Sequence, residues 1–139
     1  MRIAILYLFL ISSVCVNQTL KINITGIRNS AGSIRLGFYN TNEAFEKEQP
    51  LFVKVLPKTN VTNGVLTFTY TGLKPGIYGL AILDDENNND KMDYGLIFPK
   101  EGFGFSNYYH TSLSKPTFDK FKFILKNEDK TVEIRVKYM

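Results

Sequence analysis

The sequence predicts an all-β protein, a single antiparallel β-sandwich of about seven strands with one long aromatic loop. Three observations favour this fold class. Apolar and polar residues alternate with a period of two in most segments, turn-forming residues separate these segments, and only one short segment has a helical pattern. The chain has no internal repeat, low-complexity tract or linker, so we expect one folded domain.

The predicted strands are recognised by their apolar residues. In the first of them Leu20, Ile22 and Ile24 alternate with polar residues, which is typical of a strand with one buried face. Residues 76–84 are apolar nearly throughout, and this indicates a central strand that is covered on both faces. The remaining predicted strands are residues 34–38, 51–57, 66–70, 121–125 and 132–138.

Turns and a single helix connect these strands. Asn63-Gly64 and Pro75-Gly76 supply residues that tolerate a positive φ or preset a turn. Residues 41–48 alone have a helical pattern, with Thr41 or Asn42 as the N-cap. The segment is short and has few apolar positions to bury, so the helix is expected to depend on its tertiary contacts.

The first residues have the pattern of a secretory signal peptide. Arg2 precedes an apolar run at residues 3–11, and small residues follow it. We expect a signal peptide of residues 1–15, cleaved after Cys15, and an exported domain of residues 16–139. This predicts a secreted or periplasmic protein. A lipoprotein anchored through Cys15 is the less favoured alternative, because Val14 stands where a small residue is expected.

The composition of the exported domain excludes several classes of function. Removal of Arg2 with the signal peptide lowers the formal charge from +4 to +3, and the basic residues form no cluster, so we expect no nucleic-acid partner. No segment approaches the roughly 20 apolar residues that a membrane span needs. Loss of Cys15 leaves no cysteine, which excludes a disulfide, a thiol nucleophile and a cysteine-based zinc site.

The acidic segment at residues 83–95 is a candidate calcium site. Alternate residues of a tight loop converge on one point, and oxygen atoms are the ligands that calcium prefers. When the first loop position is placed at Asp85, the third, fifth and ninth positions also carry side-chain oxygen atoms, and the seventh contributes its backbone carbonyl. The expected ligands are Asp85, Asn87, Asn89, Lys91 and Asp93.

Two positions of this loop depart from the usual calcium-binding pattern. The sixth position is Asp90 instead of glycine, and the twelfth is Leu96 instead of glutamate. Further ligands would have to come from Asp84, Asp90, Glu101, a carbonyl or water, so we expect weak affinity, with a Kd on the order of 10⁻⁴ M. The alternative is a loop without metal, in which asparagine and aspartate side chains form Asx turns with their own backbone.

The long aromatic loop, residues 95–118, is the second candidate site. Its glycines make it irregular, yet it carries several large aromatic side chains. Such a connection is either a lid packed on the sandwich or a surface that binds a ligand. Packing is favoured because large exposed apolar patches are rare on monomers. The candidate ligand-binding residues are Phe103, Phe105, Tyr108 and Tyr109.

The sequence contains no complete catalytic constellation, so we expect that the protein is not an enzyme. His110 is the single histidine, and the serines near it, such as Ser106, lack the Gly-x-Ser-x-Gly elbow. Asp85 and Glu101 are a carboxylate pair of the kind used in glycoside hydrolysis, but cation binding and a surface loop explain them more simply.

Three long motifs resemble a known family. "GLKPGIYGLAILDDENNNDKMD", "FPKEGFGFSN" and "KPTFDKFKF" are similar to the small exported proteins classed as domain of unknown function 2141. In that pattern a histidine commonly stands at the position of Asp84 and a glycine at the position of Asp90. The resemblance implies a transthyretin-like or prealbumin-like sandwich in the periplasm or at the cell surface, and it implies no established activity.

These observations together predict an exported, non-catalytic module that binds a partner or has a structural role in the cell envelope. The partner class is open between a protein, a peptide and a glycan, and we expect a monomer. The alternative is a small periplasmic enzyme or a carbohydrate-binding protein that uses the aromatic loop.

Overall fold

The computed structural model describes residues 17–139, so the expected signal peptide and its cleavage site at Cys15 lie outside the described residues. The described part contains eight strands, one short α-helix and two 3₁₀-helices. The strands are β1 (Thr19–Thr25), β2 (Ser33–Tyr39), β3 (Phe52–Pro57), β4 (Leu66–Thr71), β5 (Gly76–Asp85), β6 (Gly102–Phe105), β7 (Phe123–Leu125) and β8 (Lys130–Arg135). The helices are α1 (Asn42–Glu46) and 3₁₀ turns at Lys58–Asn60 and Phe118–Lys120.

The strands form two sheets. In the first sheet β1 lies in the middle, antiparallel to β4 and parallel to β8. The second sheet has the order β3-β2-β5-β6, and β7 pairs with the first residues of β5. The predicted all-β sandwich is confirmed, with eight strands in place of about seven and with one parallel pair among antiparallel ones.

The main hydrophobic core lies between the two sheets and draws side chains from both. The predicted inward residues Leu20, Ile22 and Ile24 of β1 are buried, and they pack in the same cluster as Leu36 and Phe38 of β2. Burial of each such side chain contributes about 1.5–3 kcal/mol. The alternation with a period of two therefore predicts correctly which face of these strands is buried.

A second aromatic cluster covers the opposite face of β5. It consists of Phe45 from α1 and of Phe105, Phe118 and Phe121. Gly79 of β5 fits beneath it, because a Cβ atom at this position would lie 2.7 Å from the rings of Phe118 and Phe121. The strand predicted to be covered on both faces is therefore covered by the main core on one side and by these rings on the other.

The helix α1 forms where the sequence predicts a helix. Thr41 is its N-cap, and the Thr41 hydroxyl accepts a hydrogen bond from the Ala44 amide at 3.1 Å. Phe45 is its buried residue, and its ring meets the Phe121 ring edge to face at 4.8 Å. Within residues 17–139, no helix has the length and apolar character needed to cross a membrane.

The strand β6 lies inside the segment that the sequence predicts as an irregular loop. It pairs with β5 and passes directly over the chain beyond β8. A Cβ atom on Gly102 would come within 2.4 Å of the Tyr138 ring, and one on Gly104 within 2.8 Å of the Arg135 carbonyl. The glycines that argue against a strand are therefore required, because Gly102 lies against the Tyr138 ring and Gly104 against the Arg135 backbone.

Candidate functional site

Two adjacent aspartates at the end of β5 organise the polar centre of the molecule. Residues Tyr78, Leu80 and Ile82 of β5 face the main core, and Asp84 continues this alternation into the interior. Asp85 faces the other way. Both aspartates are fully buried, so each needs compensating partners within the protein.

Asp84 lies in a buried cluster with Lys58 and Tyr138, which we call the inner triad. The Lys58 ammonium contacts Asp84 Oδ1, and the side chains of both residues have no solvent exposure. The Tyr138 hydroxyl donates a hydrogen bond to Asp84 Oδ2. Strand pairing explains how these residues meet. Ile34 of β2 lies opposite Leu56 of β3 on one side and opposite Asp84 of β5 on the other, and Lys58 follows Leu56 by two residues.

The two oxygens of Asp84 have different partners. Oδ2 has the Tyr138 hydroxyl, whereas Oδ1 has only the ion pair with Lys58 and receives no hydrogen bond from any of residues 17–139. Burial raises the pKa of Tyr138, and the hydrogen bond to Asp84 raises it further. Tyr138 is therefore held as a neutral hydrogen-bond donor to the carboxylate.

A second layer of polar groups fixes the inner triad. Asn29 Oδ1 lies 3.3 Å from Lys58 Nζ, and the Asn29 amide nitrogen donates to Glu86 at 2.9 Å. The Arg28 amide donates to the Tyr138 oxygen at 3.1 Å, and the Arg28 guanidinium lies over the Tyr138 ring at 4.3 Å. These contacts hold the lysine from one side and the tyrosine from the other.

Arg28 and Glu86 form an ion pair at the edge of this layer. The guanidinium donates to both Glu86 carboxylate oxygens at 2.7 and 2.9 Å. The hydrogen bond from Arg28 is the main reason that the pKa of Glu86 lies below its ordinary value, and the same bond raises the pKa of Arg28. The pair connects the first loop of the chain to the acidic segment.

The Asp85 side chain holds the acidic segment by accepting hydrogen bonds from the backbone amides of that segment. Its Oδ1 accepts from the Asn89 amide at 3.0 Å, and its Oδ2 accepts from the Asp90 amide at 2.9 Å. Buried Glu101 has a matching role, since it accepts from the amides of Glu86 at 3.0 Å and Asp93 at 3.1 Å. Two buried carboxylates therefore hold both ends of one exposed loop.

The other expected calcium ligands lie on this loop and contact one another. The amide nitrogens of Asn87 and Asn89 donate to the Asp93 carboxylate, the latter at 2.9 Å to both oxygens. The side-chain oxygens of the two asparagines accept from the amides of Asn89 and Lys91 in Asx turns, both at 3.1 Å. The hydrogen bonds from Asn89 and Asn87 lower the pKa of Asp93.

Two residues of the acidic loop have a positive φ. Asp90, at the position usually held by glycine, has a φ of 69°, and Asn88 has a φ of 55°. Asp90 also pairs with Arg35 at 2.6 Å. Within residues 17–139, no group of three or more histidine, cysteine or acidic side chains is arranged to hold a metal ion.

The expected ligand-binding aromatic residues are divided between the interior and the surface. Phe105 is buried in the second aromatic cluster, while Phe103 and Tyr108 are half-buried and pack against it. Tyr109 is exposed, and the Arg135 guanidinium lies over its ring at 4.7 Å. These residues therefore form a packed layer with one exposed ring and no continuous flat platform.

A cavity of about 370 Å³ opens beside this layer, and we call it the aromatic pocket. Phe103, Phe105 and His110 contribute to its lining. The rim carries large apolar side chains that are exposed: Tyr94, Ile97, Phe98, Leu113 and Met139. His110 is 5% exposed, and its Nδ1 has no hydrogen-bond partner among residues 17–139.

The serines near His110 in the sequence form hydrogen bonds with backbone groups and with each other. Ser106 is buried, donates to the Phe121 carbonyl at 2.7 Å and accepts from the Leu80 amide at 2.9 Å. Ser112 contacts Ser114 on the surface.

Reasoning from sequence did not identify Lys58 or the aromatic pocket. The inward alternation of Tyr78, Leu80, Ile82 and Asp84 was the one signal for a buried carboxylate in need of a partner.

One family model matches residues 22–133, and its description is "Uncharacterized protein conserved in bacteria (DUF2141)". The match confirms the resemblance carried by the three motifs. Comparison with curated proteins and with solved structures gave no match.

Proposed function

The chain belongs to the DUF2141 family of uncharacterized bacterial proteins, and from this premise we propose that it is an exported binding module whose ligand occupies the aromatic pocket. The observation that supports this proposal is the coincidence of a cavity with exposed apolar side chains. Five large apolar residues of the rim are at least 43% exposed, and all five line the same cavity. An apolar surface of this kind is typical of a binding site.

The lining defines the chemistry of the ligand. A cavity of about 370 Å³ is near the lower end of small-molecule sites, and its walls are mostly aromatic and aliphatic. His110 adds one buried polar atom, Nδ1, that has no hydrogen-bond partner in the described part of the chain. We therefore propose a ligand with an aromatic or acyl body and a group that forms a hydrogen bond with His110.

Fluorescence titration with anilinonaphthalene sulfonate, an aromatic probe with a polar group, tests the pocket. We expect saturable binding at one site, with affinity reduced about thirtyfold in Ile97→Ser/Leu113→Ser, since each of the two lost apolar contacts contributes roughly 1 kcal/mol. Val55→Ser is the matched control, because Val55 is 54% exposed on β3 and does not line the pocket. Equal loss in the control, or no saturable binding, would contradict the proposal. Displacement of the probe by soluble oligosaccharides would favour the carbohydrate alternative.

Calcium binding by the acidic loop is a second candidate function, and one observation favours it. The side-chain amides of Asn87 and Asn89 converge on the Asp93 carboxylate. A half-turn of each amide would direct its oxygen to the same point, where a cation would replace the two N–H groups. Asp85 and the Lys91 carbonyl complete the proposed ligand set, with an expected affinity on the order of 10⁻⁴ M.

A further inference from the structure

Lys58 and Asp84 are arranged as the two halves of an amide bond. The lysine nitrogen contacts a carboxylate oxygen in the interior of the sandwich, where neither side chain has any solvent exposure. A buried ion pair carries a large desolvation cost, whereas a neutral amide in the same place does not. Contact between fixed reactants also removes most of the entropic barrier to their reaction.

From this arrangement we propose that Lys58 and Asp84 condense to an intramolecular isopeptide bond between Lys58 Nζ and Asp84 Cγ. One proton passes from the Lys58 ammonium to Asp84 Oδ1. The neutral amine then attacks Cγ, and the negative charge that develops on Oδ2 is stabilised by the Tyr138 hydroxyl. A second proton moves from nitrogen to Oδ1, the Cγ–Oδ1 bond breaks, and one water molecule leaves. The reaction consumes no other reagent.

The contacts around the pair match the product. Oδ2, which becomes the amide oxygen, already accepts from Tyr138. The amide N–H keeps Asn29 Oδ1 as its acceptor, 3.3 Å from Lys58 Nζ. Oδ1, the oxygen that leaves as water, is the carboxylate oxygen that receives no hydrogen bond from residues 17–139. After condensation every buried polar atom of the link therefore has a partner, which is not true of the ion pair.

Mass spectrometry of the denatured full chain tests the bond directly. We expect the wild-type protein to be lighter by one water molecule than its sequence requires, and Lys58→Arg, purified in the same way, to have its full mass. Digestion with trypsin should give a branched peptide that joins the segments containing Lys58 and Asp84. The full mass in folded wild-type protein, or a water loss without the branched peptide, would overturn the proposal. The wild-type result decides even if the variant fails to fold.

Two further variants separate the bond from ordinary ion pairing. Lys122→Arg is the matched control, because Lys122 forms an exposed ion pair with Asp119 at 2.6 Å and should leave the water loss unchanged. Tyr138→Phe keeps the ring but removes the donor to Oδ2. We expect an unreacted fraction in freshly purified Tyr138→Phe that declines with incubation. Complete reaction from the outset would overturn the role of Tyr138 in stabilising the charge on Oδ2.

Discussion

Asp84 and Asp85 are neighbours in β5, both are fully buried, and they have opposite surroundings. Asp84 faces the core, where its partners are the side chains of Lys58 and Tyr138 from distant segments. Asp85 faces the acidic loop, where its partners are backbone amides four and five residues further along the chain. The Asp84 carboxylate therefore contacts side-chain groups with which it could react, whereas the Asp85 carboxylate is part of a turn.

Asp84 and Asp85 also belong to two different kinds of structure. The inner triad depends on three segments that meet only in the folded protein. The acidic loop depends on local hydrogen bonds that a short segment makes by itself. Substitutions in the inner triad and in the acidic loop should therefore differ in how much stability they remove. They should also differ in how far from the substituted residue the structure changes.

Substitution of Lys58 should have the largest effect. Lys58→Met leaves the Asp84 carboxylate buried without its cation, which typically costs about 3–5 kcal/mol of stability. Denaturant unfolding measures this loss. Lys122→Met, at an exposed ion pair, is the control and should change the free energy of unfolding by less than about 1 kcal/mol.

The double variant Lys58→Met/Asp84→Leu sharpens this prediction. It removes both charges and should recover part of the loss, because an apolar pair has no desolvation cost. Recovery should remain incomplete if the isopeptide bond forms in the wild-type protein, since the double variant lacks the covalent link. A single variant as stable as the wild type would contradict the role of the pair.

Substitution of Asp85 should have a smaller and more local effect. Asp85→Ala removes the acceptors of two backbone amides, and we expect a loss of about 1–2 kcal/mol because these exposed amides can turn to water. Hydrogen exchange should increase at Asn89 and Asp90 and remain unchanged in β1. Increased exchange throughout the sheets would show instead that Asp85 supports the whole sandwich.

Calcium should stabilise the wild-type protein by a similar or smaller amount. At ten times the Kd the expected gain is about 1.4 kcal/mol, or several degrees in Tm, and magnesium should give less. Asp93→Ala should remove most of this response, whereas Glu43→Ala, on the exposed surface of α1, should keep it. Equal melting temperatures with calcium and with excess chelator would leave the Asx-turn alternative in place.

Lowering the pH should weaken the ion pair of Arg28 and Glu86. We expect the resulting change in stability to be the smallest of these effects. The pKa of Glu86 is lower in the folded protein, so its contribution is present above the ordinary glutamate value and is lost as the pH falls through the lowered value. The change in Tm over this pH range should be reduced in Glu86→Gln. An identical pH profile for the variant and the wild type would exclude this contribution.

The fold was largely predictable because most strands bury one face. Seven predicted runs correspond to β1–β5, β7 and β8, and the predicted helix forms after Thr41. The strand β6 was missed, since Gly102 and Gly104 are selected by close contacts with the Tyr138 ring and with the Arg135 backbone. Neither local propensity nor periodicity contains information about such a distant contact.

The site was predictable in part for the same reason. Alternation in the predicted strand at residues 132–138 includes Tyr138, whereas Asp84 was considered only as a possible further calcium ligand. It could not show that the 3₁₀ turn after β3 directs Lys58 into the core, because a lysine is normally expected at the surface. The acidic loop was identified because its residues are consecutive. The aromatic pocket was not, since its lining comes from segments that are far apart in the chain.

The parallel pairing of β1 with β8 has a consequence for when the protein can fold. Asn23 and Glu133 of these strands are 110 positions apart and are joined by a hydrogen bond. The central strand of the first sheet therefore lacks one of its two neighbours until residues 130–135 have been synthesised, and a contact of such long range forms slowly. During synthesis, every strand of the second sheet is available before the first sheet can be completed.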